Sequence, residues 1–288
     1  NTVLGRHPHK YMIAEESTTW PKVTGSVEDG GLHFSYKWNM GWMNDTLEYF
    51  KIHPYDRRRE YHKLTFSMMY FYSEKFLMPL SHDEVVHGKA TIIQKMYGNS
   101  YEEKFKQARA LYMYMYAHPG KKLNFMGNEI AQFREWDEKR EQDWNILEYP
   151  MHNKFHRFMR DLNLVYINHP ALFKDDYKHE GFNWIDCHQE EKCVYTFERM
   201  GENENIIAIF NFSDEYHEGY EIPMEYNTLE VLMDSSINEY GGDGKTNYRI
   251  LIEEYIKYYE GGNKNDANSI ISSHKKRLIS VDMKPYSA

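Results

Sequence analysis

Apolar runs in this chain end repeatedly in acidic, polar turns. Tyr11-Met12-Ile13-Ala14 leads straight into Glu15-Glu16-Ser17-Thr18, and Phe76-Leu77-Met78-Pro79-Leu80 leads into Ser81-His82-Asp83-Glu84. Each run has the length of a buried strand. Acids delivered at the C-terminal ends of such strands are how a β/α barrel assembles a carboxylate site. Glu15 and Asp83 lie 68 positions apart, room for two β/α crossings.

The same pattern organises the rest of the first half. Asn1 to Gly5 reads as a helix tail closed by glycine, and His7-Pro8-His9 as a polar connection. A Gly-bearing loop, Gly25 to Gly31, precedes Leu32 to Trp38, whose period of two predicts a strand. Asp45 to Phe50 predicts a helical turn with Asp45 as its cap. Leu64 to Phe76 is helical in character, with Leu64, Met68, Phe71 and Tyr72 near helical spacing. A longer helix is predicted over Tyr101–Ala117, with Phe105, Ala108, Leu111, Tyr112 and Met115 on one face. Lys122 to Gly127 reads as a buried strand, and Asn153 to Asn168 as an amphipathic helix.

The strand–helix alternation stops near His169-Pro170. Short strands follow, at Phe182–Ile185, Cys193–Arg199, Ile206–Phe212, Leu229–Met233 and Leu278–Met283, separated by turns such as Asn203-Glu204-Asn205. This is the pattern of an all-β sandwich. Glu253 to Asn268 fits neither pattern, and Asp282 to Tyr286 reads as the approach to a further strand.

Composition narrows the function. No apolar run nears the roughly 20 residues that span a bilayer, and a net charge of −9 argues against a nucleic-acid binder. Lys275-Lys276-Arg277 is too short for a basic tract and reads as a solvated turn. The two cysteines, Cys187 and Cys193, read as lone thiols of a reducing cytoplasm. Aromatic residues make up 16% of the chain, including 25 Tyr and 6 Trp, which suits the stacking of sugar rings as well as an aromatic-rich core.

Glycosidic chemistry needs one protonated carboxyl and one ionised one. Glu15 beside Glu16 offers the first, because a like charge and partial burial raise a carboxyl pKa; the residues alone do not choose between the two. His82-Asp83 pairs an imidazole with a carboxylate, a set that binds vicinal hydroxyls. His82 and His87 stand five apart, whereas a zincin helix places its histidines four apart, so no metal is expected. Gly241-Gly242-Asp243-Gly244-Lys245-Thr246 imitates a phosphate loop, but Glu239 stands where the pattern needs glycine, and the segment reads as a turn.

Ala14-Glu15-Glu16-Ser17-Thr18 and the run Leu80-Ser81-His82-Asp83-Glu84-Val85-Val86-His87-Gly88-Lys89 resemble the third and fourth conserved regions of bacterial glycogen branching enzymes, within the α-amylase superfamily (glycoside hydrolase family 13). Tyr36 to Met43, Phe125-Met126-Gly127-Asn128-Glu129 and Asp161-Leu162-Asn163-Leu164 match the same enzymes. The resemblance implies that Glu15 is the general acid and Asp83 the carboxylate that stabilises the transition state. His82 and Trp20 are the substrate-binding candidates. The family's nucleophile is an Asp on the fourth barrel strand, in a Gly-Phe-Arg-x-Asp type motif, and nothing of that kind stands in the 14 residues before Glu15. The expected fold is therefore α/β plus all-β. Residues 1–169 would form the second half of a TIM (β/α)8 barrel whose nucleophile lies upstream, and residues 170–288 a C-terminal antiparallel β-sandwich. The implied reaction is retaining transfer of an α-1,4-glucan chain to a C6 hydroxyl. The expected partner is an α-glucan (glycogen or amylose) and no cofactor is expected. The complete protein would be a cytoplasmic monomer bound to neither membrane nor nucleic acid. A hydrolytic α-amylase-type enzyme and a non-catalytic glucan-binding fragment remain the alternatives.

Overall fold

A computed structural model describes residues 2–258 and 271–288. Helix α1 (Thr2–Arg6) opens the described chain and runs through Gly5 instead of stopping at it. Next comes β1 (Ile13–Ala14), which pairs in parallel with β2 (Tyr36–Trp38). The buried strand expected over Tyr11–Ala14 is thus only two residues long. Ala14 is buried, while Tyr11 and Ile13 are exposed. The strand expected over Leu32–Trp38 shrinks to Tyr36–Trp38, because His33 adopts a left-handed φ of 61° that breaks the extended run.

Helix α2 (Met40–Lys51) is capped by Asn39, whose side-chain oxygen accepts from the Trp42 amide at 2.9 Å. Asp45, the expected cap, sits inside this helix. The helical character expected over Leu64–Phe76 resolves into α3 (His62–Thr65) and single 3-10 turns at Phe66–Met69 and Phe71–Ser73. Strand β3 (Phe76–Leu80) is buried at all five positions, as its uninterrupted apolar run predicts for a strand covered on both faces. A short α4 (Ile92–Lys95) leads to α5 (Tyr101–Ala117), which ends where the pattern placed its ends. The Ser100 hydroxyl accepts from the Glu103 amide to start it. Its predicted apolar face is fully buried, each large side chain contributing about 1.5–3 kcal/mol. Strand β4 (Lys121–Asn124) and α6 (Pro150–Asn168) complete this part.

The four strands form one parallel sheet in the order β1-β2-β3-β4. Parallel pairing puts every strand's C-terminal end, and the turn that follows it, on one edge.

Past α6 the chain turns antiparallel. Strands β5 (Phe182–Gln189), β6 (Val194–Met200) and β7 (Asn205–Asn211) make one sheet. Strands β8 (His217–Met224), β9 (Tyr248–Tyr258) and β10 (Ile271–Met283) make a second, in the order β8-β10-β9. Val194 packs with Tyr220, Ile222, Ile279 and Val281 between the two sheets, which makes this an antiparallel sandwich. The other face of the first sheet joins the main core: Tyr195 stacks on Tyr61 at 4.0 Å, and Phe212 meets Phe50 at 5.2 Å.

Several expectations change here. Leu229–Met233 has no regular structure, and the strand in that region is β8, which pairs with β10 from Met224↔Arg277 to His217↔Met283. Lys275 to Arg277 lies within β10, not in a turn. Of the unassigned stretch Glu253–Asn268, residues 253–258 belong to β9 and residues 259–268 lie outside the described residues, as does Asn1. Asp282 to Tyr286 leads out of β10 into a turn, and Ser287 makes a single bridge back to Asn211. Among the described residues both cysteines are free thiols, and no helix is long and apolar enough to cross a membrane.

Candidate active site

The shared edge of the parallel sheet carries the predicted acids. Glu15 follows directly on β1 and is exposed, with no hydrogen bond or ion pair among the described residues. The partial burial expected for it is absent. Glu16 behaves differently, because β2 presents Lys37 to it. The Lys37 ammonium, on a side chain 6% exposed, lies 2.6 Å from Glu16 Oε2 and donates to the Thr18 carbonyl at 2.9 Å. Glu16 Oε1 accepts from the Thr18 amide at 2.7 Å. These bonds, led by the one from Lys37, pull the Glu16 carboxyl down to about 2. The neighbouring acids are therefore not a pair competing for one proton. One is committed to a lysine, and the other stands free.

Asp83 lies on a 3-10 turn, His82–Val85, immediately after β3. His82 Nε2 sits 3.2 Å from Asp83 Oδ1, both side chains roughly half exposed, and the His82 ring lies 5.9 Å from that of Phe125. Since β2 alone separates β1 from β3, the two acid-bearing strand ends stand about 10 Å apart across the sheet. Trp20 is 62% exposed on the turn after Glu15, with its amide held by Thr18 Oγ1 at 3.1 Å. Among the described residues it makes no contact with His82 or Asp83; what joins them is the common edge.

The loop carrying Asp83 is braced from two sides by residues that spacing did not single out. Beneath it, the Lys95 ammonium donates to the carbonyls of Glu84 and Ala90, and its burial lowers the amine to about 8. From outside, Glu135 accepts the amides of Gly88 at 2.9 Å and Ala90 at 2.7 Å, which holds its carboxyl below the usual range. His87, Gly88 and Ala90 all take positive φ, at 60°, 76° and 67°. The Trp136 amide adds a bond to the Val85 carbonyl at 3.0 Å. The signal for Lys37 was legible, a lone lysine inside the apolar stretch Tyr36-Lys37-Trp38. Glu135 carried none, since its partners are backbone amides 45 and 47 residues away. Among the described residues no group of three His, Cys, Asp or Glu side chains is placed to hold a metal ion.

The arrangement thus offers one unpaired carboxylate for proton transfer and an imidazole–carboxylate pair for hydroxyl binding. Residues 184–288 match the alpha amylase, C-terminal all-beta domain family. The 1,4-alpha-glucan branching enzyme GlgB of Bacillus cytotoxicus is 46% identical over 83% of this chain and 38% of its own length. That of Bacillus caldolyticus is 45% identical over 86% of this chain and again 38% of its own. The chain therefore spans well under half the length of these curated relatives. Among solved structures, the Nostoc punctiforme debranching enzyme aligns over 99% of this chain and 52% of its own, with a TM-score of 0.59 at 12% identity, which is a likeness of fold.

Proposed function

This chain belongs to the family of bacterial 1,4-alpha-glucan branching enzymes, and from that premise we propose that it supplies the proton-transfer and glucan-binding side of a branching site. The observation that carries the reading is the edge of the parallel sheet, where Glu15 stands exposed and unpaired alongside His82 and Asp83.

In the proposed reaction, Glu15 gives its proton to the glycosidic oxygen of an α-1,4 bond. A carboxylate from outside residues 1–288 attacks the anomeric carbon as that bond breaks. His82 and Asp83 accept and donate hydrogen bonds to hydroxyls of the same sugar, and the Asp83 charge steadies the oxocarbenium-like carbon. Trp20 offers an aromatic face to the chain. Glu15, now ionised, then takes the proton from the C6 hydroxyl of an acceptor glucan. The C6 oxygen displaces the enzyme carboxylate and an α-1,6 branch forms. Two displacements at one carbon retain its configuration.

In this reading residues 1–169 form half of a (β/α)8 barrel and residues 170–288 its appended β domain, in a monomeric cytoplasmic enzyme acting on glycogen or amylose. The test is Glu15→Gln in the complete enzyme. Removing a general acid is expected to cost about 10²–10⁴-fold in branching rate, measured as new α-1,6 linkages on amylose. Near-normal branching would refute the assignment, and reducing ends accumulating without branches would identify a hydrolase.

A further inference from the structure

The loop that carries His82 and Asp83 runs on to Ala90 in a conformation that its sequence disfavours. His87 and Ala90 take left-handed φ of 60° and 67°, which only glycine adopts freely, and Gly88 between them takes 76°. The loop's own backbone bonds are long, 3.3 Å from the Glu84 amide to the Ser81 carbonyl and 3.2 Å from the Lys89 amide to the Val86 carbonyl. Such a shape persists only where its surroundings impose it. We propose that Glu135 is a positioning residue for the reaction, holding this loop wound so that His82 and Asp83 face the reacting sugar; the inference rests on the reading above.

Each oxygen of the Glu135 carboxylate accepts one amide of the wound stretch, Oε2 that of Gly88 at 2.9 Å and Oε1 that of Ala90 at 2.7 Å. Bonds to an ionised acceptor are roughly twice as strong as neutral ones. Lys95 secures the carbonyls of Glu84 and Ala90 from beneath, which leaves the outer amides to Glu135. Glu135 is itself fixed from the β4 side. On one side of it Arg134 is held by Asp143, with Nε 3.0 Å from both carboxylate oxygens. On the other, the Trp136 amide donates to the Val85 carbonyl at 3.0 Å, and the Trp136 ring packs edge-to-face on Phe125 at 5.3 Å. Phe125 directly follows β4, and its ring lies 5.9 Å from that of His82. The turns after β3 and β4 therefore form one unit, and Glu135 is its link to the strained residues.

A residue that only positions the machinery lowers kcat and leaves substrate binding alone. In the complete enzyme, Glu135→Ala is expected to lower kcat for branching of amylose on the order of 10²-fold, as a misplacement of about 1 Å does. KM should stay within about twofold of wild type. Glu135→Gln keeps the shape and one acceptor oxygen, and its kcat should fall between the two. The deciding variant combines Glu135→Ala with Ala90→Gly. Glycine takes the left-handed φ without strain, so the double variant should regain about fivefold or more of the lost kcat. Should the alanine variant fail to fold, kcat and KM of Glu135→Gln, alone and with Ala90→Gly, decide in the same way. Wild-type kcat in the single variants overturns the proposal, and so does a loss that appears in KM and persists with Ala90→Gly. With Glu15→Gln inactive, either result leaves the active-site reading standing. If Glu15→Gln branches normally, it is the active-site reading that fails.

Discussion

Lys37 decides what Glu16 is, and so what Glu15 can be. A sequence shows two adjacent acids and suggests mutual repulsion; the structure gives one of them a cation from the next strand. The Glu16 carboxyl, held at about 2 against an ordinary 4.5, makes its contribution to stability in full above about pH 4.5 and loses it as pH falls toward 2. Lys37→Met should therefore flatten the fall in stability across that window, followed by urea unfolding at stepped pH, with Glu16→Gln giving the same flattening. A Lys37→Met protein that keeps the wild-type slope would remove the pair from the account. The identity of the candidate acid was legible only down to two residues, because the deciding charge sits 21 positions downstream of Glu16 in a different strand.

Legibility varied from element to element, for physical reasons: the strand β3 stood out as an apolar run, whereas the helical stretch over Leu64–Phe76 broke into short turns. The helix α5 carries its own ladder, cap and apolar face within one stretch, so local sequence determines its ends. A strand needs its neighbour. Tyr11–Ala14 has the apolar run of a strand and Leu32–Trp38 the alternation, but pairing covers only two and three residues of them. Strand β8 hides its alternation of Tyr220, Ile222 and Met224 behind Gly219 and Pro223, and becomes visible only against β10. Caps can mislead as well. Asp45 has the right side chain in the wrong turn, whereas Asn39 meets both the Trp42 amide and the Tyr70 hydroxyl, each at 2.9 Å. Asn39→Ala should cost about 1–2 kcal/mol and lower Tm by roughly 2–8 °C. Calorimetry showing no change would mean that α2 is held by packing alone.

The sandwich and the parallel layer are fastened together by three buried arginines. Arg57, wholly buried, has no carboxylate partner among the described residues. It donates to the carbonyls of Phe212 at 2.7 Å, Phe50 at 3.2 Å and Ile52 at 3.3 Å, and lies over the rings of Tyr49, Phe50 and Tyr286. Arg109 reaches the Ser235 carbonyl at 2.9 Å and that of Tyr240 at 3.1 Å, and burial lowers it to about 10. Arg199 runs the other way, from β6 to the Ala117 carbonyl at 2.8 Å and to Asp176 at 2.8 Å. Arg57→Met removes the donor from the buried Phe212 carbonyl and from the Gln107 side-chain oxygen and should destabilise by about 3 kcal/mol or more, read as a lower urea midpoint. The melting of both parts should remain one transition, because one core contains Phe50, Tyr114, Tyr195 and Phe212. A mutant in which the β domain melts separately would contradict this. The change of pattern near His169 in the sequence thus marks a change of architecture without marking a line along which the molecule divides.

That fastening has a consequence in time. Phe212, whose carbonyl receives the Arg57 guanidinium, follows Arg57 by 155 residues. At a synthesis rate of roughly 5–20 residues per second, the arginine leaves the ribosome about 8–30 s before its acceptor exists. For most of that interval Tyr49 and Tyr61 await Tyr195 of β6, and for all of it Phe50 awaits Phe212, just past β7. The nascent chain would spend those seconds as a client for whatever binds exposed aromatic surface.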